Sequence, residues 1–302
     1  MSDVSGLNSR FGIADQLVFN EIPGGLIVAE ITNKLAAARI ALQGAHVLTW
    51  APKGHKPVIW LSEAAKFAPG KSIRGGAPVC WPWFGAHPEQ SSFPAHGYAR
   101  TVPWEIIDAR ALGNGATSIA LRLKESDATR AFWPHATPIE CHITVGTDLE
   151  IELITRNQGS APVTVGEALH TYFAVSDIRE VQILGLADCT YFDKVDNGAR
   201  KKQAGAVSFS GETDRVYLNT AADCLIVDPT LRRRIRIAKR GSQSTVVWNP
   251  WVEKAEKMGD LGQNGYLKMV CVESANALDN VVSLPAGQEH RLWVSYSVEP
   301  QS

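Results

Sequence analysis

The sequence predicts an all-β protein built as a large antiparallel sandwich. Apolar and polar residues alternate with a period of two in several separate runs, which is the pattern of half-buried strands. Turns that contain glycine and asparagine separate these runs, and signals for helices are few. Many short alternating strands over 302 residues are typical of a sandwich whose connecting loops carry the functional site.

Individual strands can be placed along the chain from this alternation. Residues 119–123 form one alternating run. Residues 139–145 and 149–153 form two more, joined by Gly146-Thr147-Asp148, and a short connection that contains glycine predicts a hairpin. A further strand is predicted at 292–298, so the alternating pattern continues almost to the C-terminus.

One short helix interrupts the predicted strands. Asn249 is a favourable N-cap, Pro250 suits the first helical position, and Gly259 is a suitable stop. The sequence therefore predicts a connecting helix over residues 251–258. Because no low-complexity linker and no repeat of fixed period divides the chain, we expect a single domain over residues 1–302.

Bulk composition bears on partners and location. The formal net charge is -1, so the charge balance does not indicate a nucleic-acid partner or a membrane surface. No apolar run approaches the roughly 18–20 residues that span a bilayer, and the polar N-terminus lacks the apolar core of a secretory signal. Five scattered cysteines without a CxxC pair fit neither a disulfide framework nor a zinc ribbon. We therefore expect the reducing cytoplasm.

The most basic segment, residues 231–240, has arginines in partial alternation with Ile235 and Ile237. Nucleic-acid binding would call for aromatic residues among the cations and for a basic chain overall. Neither condition holds, so we interpret this segment as a half-buried strand with one solvated face.

Two arginines stand beside glycines and aromatic residues. Arg74 lies in SIRGGAPVCWPWFG (72–85), and Arg100 lies in PAHGYARTVPW (94–104). A guanidinium presents a rigid fork of donors that matches phosphate oxygens, and adjacent glycines let backbone amides approach the same anion. The alternative is a structural arginine that bonds loop carbonyls. The shared setting of the two residues favours anion binding.

Two histidines are candidates for proton transfer. His96 lies between Pro94 and Gly97, and His170 lies in GEALHTYF (166–173). Imidazole titrates near pH ~6.5, so it can give and take a proton at neutral pH. A lone histidine among apolar residues is more often a core residue, and that alternative stays open here.

Two carboxylates complete the candidate site. Glu273 lies in VCVESAN (270–276), where strand alternation places it on the face opposite Val272. It is either part of an exposed polar face or a partly desolvated base, in which case burial would raise its pKa from ~4.3. Asp214 lies in ETDRVY (212–217) and has Arg215 as a possible ion-pair partner.

Several common chemistries lack their sequence signals. Two histidines and a carboxylate can bind zinc or iron, but HxH and HExxH spacings are absent and the candidate ligands lie in separate segments. GxSxG and GxxxxGK[ST] are absent as well. We therefore expect no metal, no cofactor, no serine nucleophile and no nucleotide site.

Taken together and in order, six motifs resemble a known family. RGGAPVCWPWFG, HGYAR, EALHTYF, ETDRVY, WNPW and VESAN resemble the motifs of the D-hexose-6-phosphate mutarotases, also called glucose-6-phosphate 1-epimerases, in the aldose 1-epimerase superfamily. The resemblance extends over roughly residues 26–298. It implies an antiparallel β-supersandwich of the galactose mutarotase-like type, with a few short connecting helices and a site without metal.

The resemblance also implies catalytic roles. His170 would protonate the sugar ring oxygen O5, an ionised Glu273 would accept the proton of the anomeric hydroxyl O1, and His96 would assist at the sugar oxygens. Ring opening, rotation about C1–C2 and reclosure would then interconvert the anomers. A positioned acid and a positioned base each contribute ~10²–10⁴ in rate.

The implied substrate-binding residues are Asp214 for the sugar hydroxyls and Arg74 and Arg100 for the phosphate. Candidates for the aromatic ring that covers the apolar face of the sugar are Trp81, Trp83 and Tyr172. The expected substrate is a hexose 6-phosphate, most readily glucose 6-phosphate. Two alternatives stay open: a mutarotase for free aldoses such as galactose, in which the arginines would be structural, and a non-catalytic carbohydrate-binding protein on the same scaffold.

Overall fold

Strands dominate the architecture of the computed structural model, which describes residues 3–300. In chain order the strands are β1 (Leu17–Ile22), β2 (Leu26–Thr32), β3 (Ala36–Ala41), β4 (His46–Pro52), β5 (Val79–Cys80), β6 (Trp104–Ala111), β7 (Thr117–Leu123), β8 (Ile139–Val145), β9 (Leu149–Arg156), β10 (Val163–Val165), β11 (Glu167–Leu169), β12 (Tyr172–Ala174), β13 (Gln182–Leu184), β14 (Thr190–Asp193), β15 (Ala199–Lys202), β16 (Thr213–Leu218), β17 (Cys224–Asp228), β18 (Arg233–Arg240), β19 (Ser244–Asn249), β20 (Met269–Asn276), β21 (Val282–Leu284) and β22 (Glu289–Pro300). The α-helices are α1 (Val4–Phe11), α2 (Asp127–Phe132) and α3 (Trp251–Met258). Short 3-10 turns lie at Ala99–Thr101, Lys194–Asp196, Gly265–Lys268 and Leu278–Asn280.

Two eight-stranded sheets form the body of the fold. The first has the order β15-β14-β16-β19-β20-β11-β5, with β12 also paired to β20. The second has the order β13-β17-β18-β22-β9-β8-β7-β6. A four-stranded sheet, β1-β2-β3-β4, and the pair β10-β21 complete the strands. The all-β antiparallel prediction is confirmed.

A single apolar cluster joins the two large sheets. Val247 and Val272 of the first sheet belong to the same buried cluster as Ile143, Leu153 and Val294 of the second. Side chains alternate across a strand, so the neighbours of Val272 on β20 point away from this core. The opposite face of the first sheet is therefore free to carry polar groups.

The predicted elements are found where the alternation placed them. The hairpin of β8 and β9 has Val145 paired with Leu149 across the predicted turn. Helix α3 has the predicted bounds. Its N-cap is Pro250 rather than Asn249, while the Asn249 side chain accepts a hydrogen bond from the Trp251 N–H (2.9 Å). Gly259 ends the helix with a left-handed φ of 68°.

The basic segment is the half-buried strand β18, as predicted, with Ile235 and Ile237 buried. Two of its cations, however, share the buried face. Arg233 donates to the carbonyls of Lys56, Pro57 and Ala174, and Lys239 donates to the Ser244 carbonyl. Buried cations are tolerated when such hydrogen bonds satisfy them.

The five cysteines carry no disulfide: Cys80, Cys141, Cys224 and Cys271 are buried, and Cys189 is half-buried. Between residues 3 and 300 no helix is long and apolar enough to cross a membrane.

Candidate active site

A cavity of about 270 Å³ opens on the face of the first sheet that points away from the shared core. All six residues predicted as catalytic or substrate-binding line it: Arg74, His96, Arg100, His170, Asp214 and Glu273. The fold thus assembles one site from segments that are far apart in sequence.

His170 and Glu273 form the centre of the cavity. His170 directly follows β11, and Glu273 lies within β20, the antiparallel neighbour of β11, in a register that pairs Leu169 with Ser274. The Nε2 atom of His170 is 3.4 Å from Oε1 of Glu273. The Glu273 side chain is only 1% exposed and that of His170 is 12% exposed. Glu273 is therefore the desolvated carboxylate, not part of an exposed polar face.

Burial favours the neutral form of both groups. It lowers the pKa of His170 well below 6.5, and the nearby His96 and Arg100 lower it further. It raises the pKa of Glu273 well above 4.5, although the positive charge of Lys194 acts in the opposite direction. Burial therefore favours a neutral imidazole and a protonated carboxyl, rather than the ionised Glu273 and protonated His170 expected from the sequence.

Two atoms of this pair have no protein partner. Nδ1 of His170 and Oε2 of Glu273 are buried, and neither forms a hydrogen bond within residues 3–300. A buried polar atom without a partner carries a free-energy cost. This cost falls on the two groups at the centre of the cavity.

His96 is held beside His170 by an unusual loop. Its φ is 66°, its N–H donates to the Gly85 carbonyl (2.6 Å), and its ring centre lies 5.6 Å from that of His170. The Gly85 N–H donates to Nδ1 (3.4 Å), which favours the tautomer with the proton on Nε2. Burial and the charges of Arg100 and Lys194 lower the pKa of His96 to about 3, so the ring is a neutral donor.

Glycine is required directly after His96. Gly97 has a φ of 70°, and a Cβ atom there would lie 1.9 Å from the Trp81 carbonyl oxygen. The HG pair of the HGYAR motif is thus explained by a close approach of two backbone segments.

Arg74 has donors to spare. Its Nε donates to Oδ1 of Asp260 (3.0 Å), and its Nη1 donates to the Tyr172 hydroxyl (2.8 Å). A guanidinium has five N–H groups. The other three form no hydrogen bond with the described part of the chain, and the residue lines the cavity. The arrangement fixes the plane of the guanidinium and leaves donors for an anion.

Arg100 contributes a second positive charge. Its Nη2 donates to the Ala95 carbonyl (2.9 Å), which is the loop contact that a structural arginine would make. Yet no carboxylate of residues 3–300 lies within 4.0 Å of it, and it also lines the cavity. Its charge is therefore uncompensated by a direct ion pair.

Asp214 pairs with a residue that the sequence did not indicate. Its Oδ1 lies 3.4 Å from Nζ of Lys194, and burial raises its pKa while Lys194 acts against that shift. The adjacent Arg215 instead donates to Oε1 of Gln203 (3.3 Å). The ion pair considered between Asp214 and Arg215 is not formed.

The cavity is also lined by cationic and aromatic residues to which the sequence analysis gave no role. Lys194 lies in a 3-10 turn after β14, and Lys254 lies on α3, where it pairs with Glu212 (2.7 Å). Both occur in polar stretches that are typical of solvated turns and helices, so no local signal marks them. Trp248 and Phe84 also line the cavity, and both occur in quoted motifs.

Of the three aromatic residues predicted to cover the sugar, only Tyr172 lines the cavity. Trp81 and Trp83 are buried in the main apolar cluster and are absent from its wall. Their indole N–H groups donate to Thr155 and to the Pro94 carbonyl. The prediction is wrong for Trp81 and Trp83, because the side chains of both residues pack into the apolar core.

One group of donor atoms has metal-ligand chemistry. Atoms of His170, Cys271 and Glu273 lie within 4.8 Å of one another. Four cationic side chains line the same cavity, however, and their field opposes a divalent cation. The donor set therefore fits acid–base chemistry better than ion binding.

Comparisons with known proteins agree on one family. Residues 28–297 match the profile of the aldose 1-epimerase family. The chain is 41% identical to an Escherichia coli protein named "Putative glucose-6-phosphate 1-epimerase", over 241 residues that cover 80% of each protein. It is 40% identical to a Salmonella typhimurium protein of the same name, again over 80% of each protein. The crystal structure of a "putative mutarotase (YeaD)" from Salmonella typhimurium superposes with a TM-score of 0.89 at 34% identity, covering 96% of each chain.

Proposed function

Since the chain belongs to the aldose 1-epimerase family, we propose that it interconverts the α and β anomers of hexose 6-phosphates, glucose 6-phosphate foremost. The observation that carries this proposal is a buried acid–base pair, His170 and Glu273, in a cavity whose walls hold guanidinium groups with unused donors. The names of the Escherichia coli and Salmonella typhimurium relatives support the choice of phosphorylated substrate.

The distance between the two groups suits mutarotation. O1 and O5 are both bonded to C1, so one group must reach each oxygen from positions a few ångström apart. The 3.4 Å separation of His170 Nε2 and Glu273 Oε1 meets that condition. The neutral pair also holds, on the Glu273 carboxyl, the one proton that the reaction needs. Either group of the pair can carry it.

The reaction proceeds by a balanced exchange of protons. Transfer of the carboxyl proton from Glu273 to His170 gives a carboxylate and an imidazolium. The number of protons on the pair does not change. Glu273 then accepts the proton of O1 while His170 donates to O5, and the C1–O5 bond breaks to give the open-chain aldehyde. Rotation about C1–C2 presents the other face of the carbonyl, and reclosure with reversed transfers gives the other anomer.

The remaining residues bind the substrate. The phosphate carries about -1.5 to -2 charges near pH 7, and Arg74 and Arg100 are its partners in the proposal. Binding energy gained there holds the sugar while C1 rotates. Neutral His96 donates to a sugar oxygen, and Asp214 accepts from sugar hydroxyls. A cytoplasmic location is part of the proposal and is supported by the free cysteines.

The test is the rate of exchange between the anomers of glucose 6-phosphate, measured by magnetisation-transfer NMR with glucose and galactose alongside. Acceleration of the phosphorylated sugar above the free sugars is the expected result. Equal or greater acceleration of the free sugars would overturn the phosphate assignment. Binding without acceleration of any sugar would overturn the enzymatic assignment.

A further inference from the structure

Tyr172 connects the two functional parts of the cavity. Its hydroxyl accepts a hydrogen bond from Nη1 of Arg74 (2.8 Å). Its ring stacks on the imidazole of His170, with centroids 5.1 Å apart and planes 18° apart. One side chain therefore touches both a proposed phosphate ligand and the proposed acid.

The ring of Tyr172 is tightly packed between other aromatic side chains. Trp60 stacks on it at 5.9 Å and 23°, and Trp248 meets it edge-on at 5.9 Å. Only 2% of the residue is exposed, and its N–H donates to the Gly76 carbonyl. A side chain packed this closely transmits a displacement of its hydroxyl to the ring in contact with it.

Arg74 is held by two hydrogen bonds, one from Nε and one from Nη1. Asp260 accepts from Nε, whereas the rest of the guanidinium faces Tyr172 and the cavity. An anion that accepts hydrogen bonds from the unused N–H groups attracts the guanidinium toward the cavity. The hydrogen bond to the Tyr172 hydroxyl must then respond, because both bonds involve the same planar group.

From this geometry, and resting on the proposed function, we propose that Tyr172 is a positioning residue that couples phosphate at Arg74 to the orientation of His170. The phosphate group then raises turnover at C1 as well as affinity. Phosphate need not be covalently attached to the sugar for this effect, so inorganic phosphate should accelerate the anomerisation of free glucose.

Tyr172→Phe separates the two roles of the side chain, because it removes the hydroxyl and keeps the ring on His170. The expected result is a loss of about tenfold or more in kcat for glucose 6-phosphate, the size of a lost charge-assisted hydrogen bond that acts in the transition state. Turnover of free glucose without phosphate should fall less than that of glucose 6-phosphate, and activation of that reaction by inorganic phosphate should disappear.

Tyr217→Phe is the matched control. Tyr217 is fully buried, and its hydroxyl donates to Gln203 (2.7 Å) outside the cavity. Its removal should leave the ratio of kcat for the two sugars unchanged. Equal losses for both sugars in Tyr172→Phe, or an unchanged kcat for glucose 6-phosphate, would overturn the coupling.

A second measurement keeps the inference testable without turnover. The imidazole resonances of His170 should shift when inorganic phosphate is titrated into the wild type, and should shift much less in Tyr172→Phe. Identical shifts in both proteins would overturn the coupling. Failure of the wild type to accelerate any hexose phosphate would overturn the proposed function instead, and the titration would still report on Tyr172.

Discussion

The carboxylate of Glu273 lies 3.4 Å from the imidazole of His170, and strand register alone brings them together. Glu273 is on β20, and His170 directly follows the neighbouring strand β11. Val272, one position away on β20, points into the core shared by the sheets. A register slip of one residue would therefore exchange the carboxylate for a valine in the cavity.

Replacing Glu273 by Gln should abolish catalysis and preserve sugar binding. The amide keeps the shape of the side chain but cannot accept the O1 proton, so kcat should fall by ~10²–10⁴. NMR exchange of glucose 6-phosphate anomers measures the rate, and calorimetric titration measures binding. The midpoint of thermal unfolding should not fall, because burial opposes ionisation of the native carboxylate. Turnover equal to wild type would remove Glu273 from the mechanism.

Replacing Arg100 by Ala should weaken binding of the phosphorylated sugar. Loss of one charge-assisted contact to phosphate raises KM by about ten- to a hundredfold. The matched control is Arg110→Ala, since Arg110 is exposed and pairs with Asp108 on β6. Titration with glucose and with glucose 6-phosphate distinguishes the roles. If both variants bind glucose 6-phosphate equally well, Arg100 is only the structural arginine that bonds Ala95.

Activity should not fall when the pH is lowered modestly below neutrality. The pKa of His170 lies well below 6.5, so the pair gains a second proton only in acid. The pKa of Glu273 lies well above 4.5, so the pair loses its single proton only at a correspondingly higher pH. The one-proton state is therefore bounded by His170 on the acid side and by Glu273 on the alkaline side. The profile should be recorded as kcat at saturating substrate, because the phosphate itself titrates near pH ~6. An acid limb at or above pH 6.5 would contradict the shift of His170.

Gly97→Ala should displace the loop that carries His96 and Arg100. Its new Cβ would meet the Trp81 carbonyl oxygen at 1.9 Å, so the backbone must move. Gly85→Ala is the control, because Gly85 has a similar φ of 79° but open space for a Cβ. The control should lose about 1–2 kcal/mol of unfolding free energy, the cost of a left-handed alanine. Gly97→Ala should lose more, and should also raise KM; equal effects in the two variants would contradict the steric explanation.

A buried pair behind the site should make stability depend on pH. Nε2 of His290 lies 2.7 Å from Oε1 of the fully buried Glu167, which also accepts from Asn276. Burial alone would lower the pKa of His290, but the Glu167 hydrogen bond and charge raise it. The stabilisation is thus complete below the unfolded pKa of about 6.5 and is lost as pH rises through the folded pKa.

His290→Gln should therefore cost about 1–3 kcal/mol of unfolding free energy at pH 6 and less at pH 9. Urea denaturation at the two pH values measures the difference. His55→Gln is the control, because His55 is exposed, and its effect should be small at both values. A cost for His290→Gln that does not change with pH would contradict the ion pair.

Local sequence patterns were enough to predict the strands, turns and helix whose formation depends on neighbouring residues. Alternation located the hairpin of β8 and β9, and a turn-forming glycine with a helix-starting proline located α3. Segments rich in glycine and aromatic residues marked Arg74, His96, Arg100 and His170, whereas Glu273 stood out as a carboxylate in an apolar run and Asp214 came from the motif ETDRVY. They are recognisable because polar groups in apolar, tightly turned segments are costly unless they are used.

Only the tertiary structure determined which remote residues line the cavity and how their ionisable groups are protonated. Lys194 and Lys254 occupy ordinary polar stretches, and only the folding of β14 and α3 beside the cavity brings them to the site. Trp81 stands in a motif of the site and yet packs into the core. The protonation of His170 and Glu273 follows from desolvation, which no sequence pattern records. Residue types and their local geometry are properties of the chain, whereas distances and dielectric surroundings arise only when remote segments pack together.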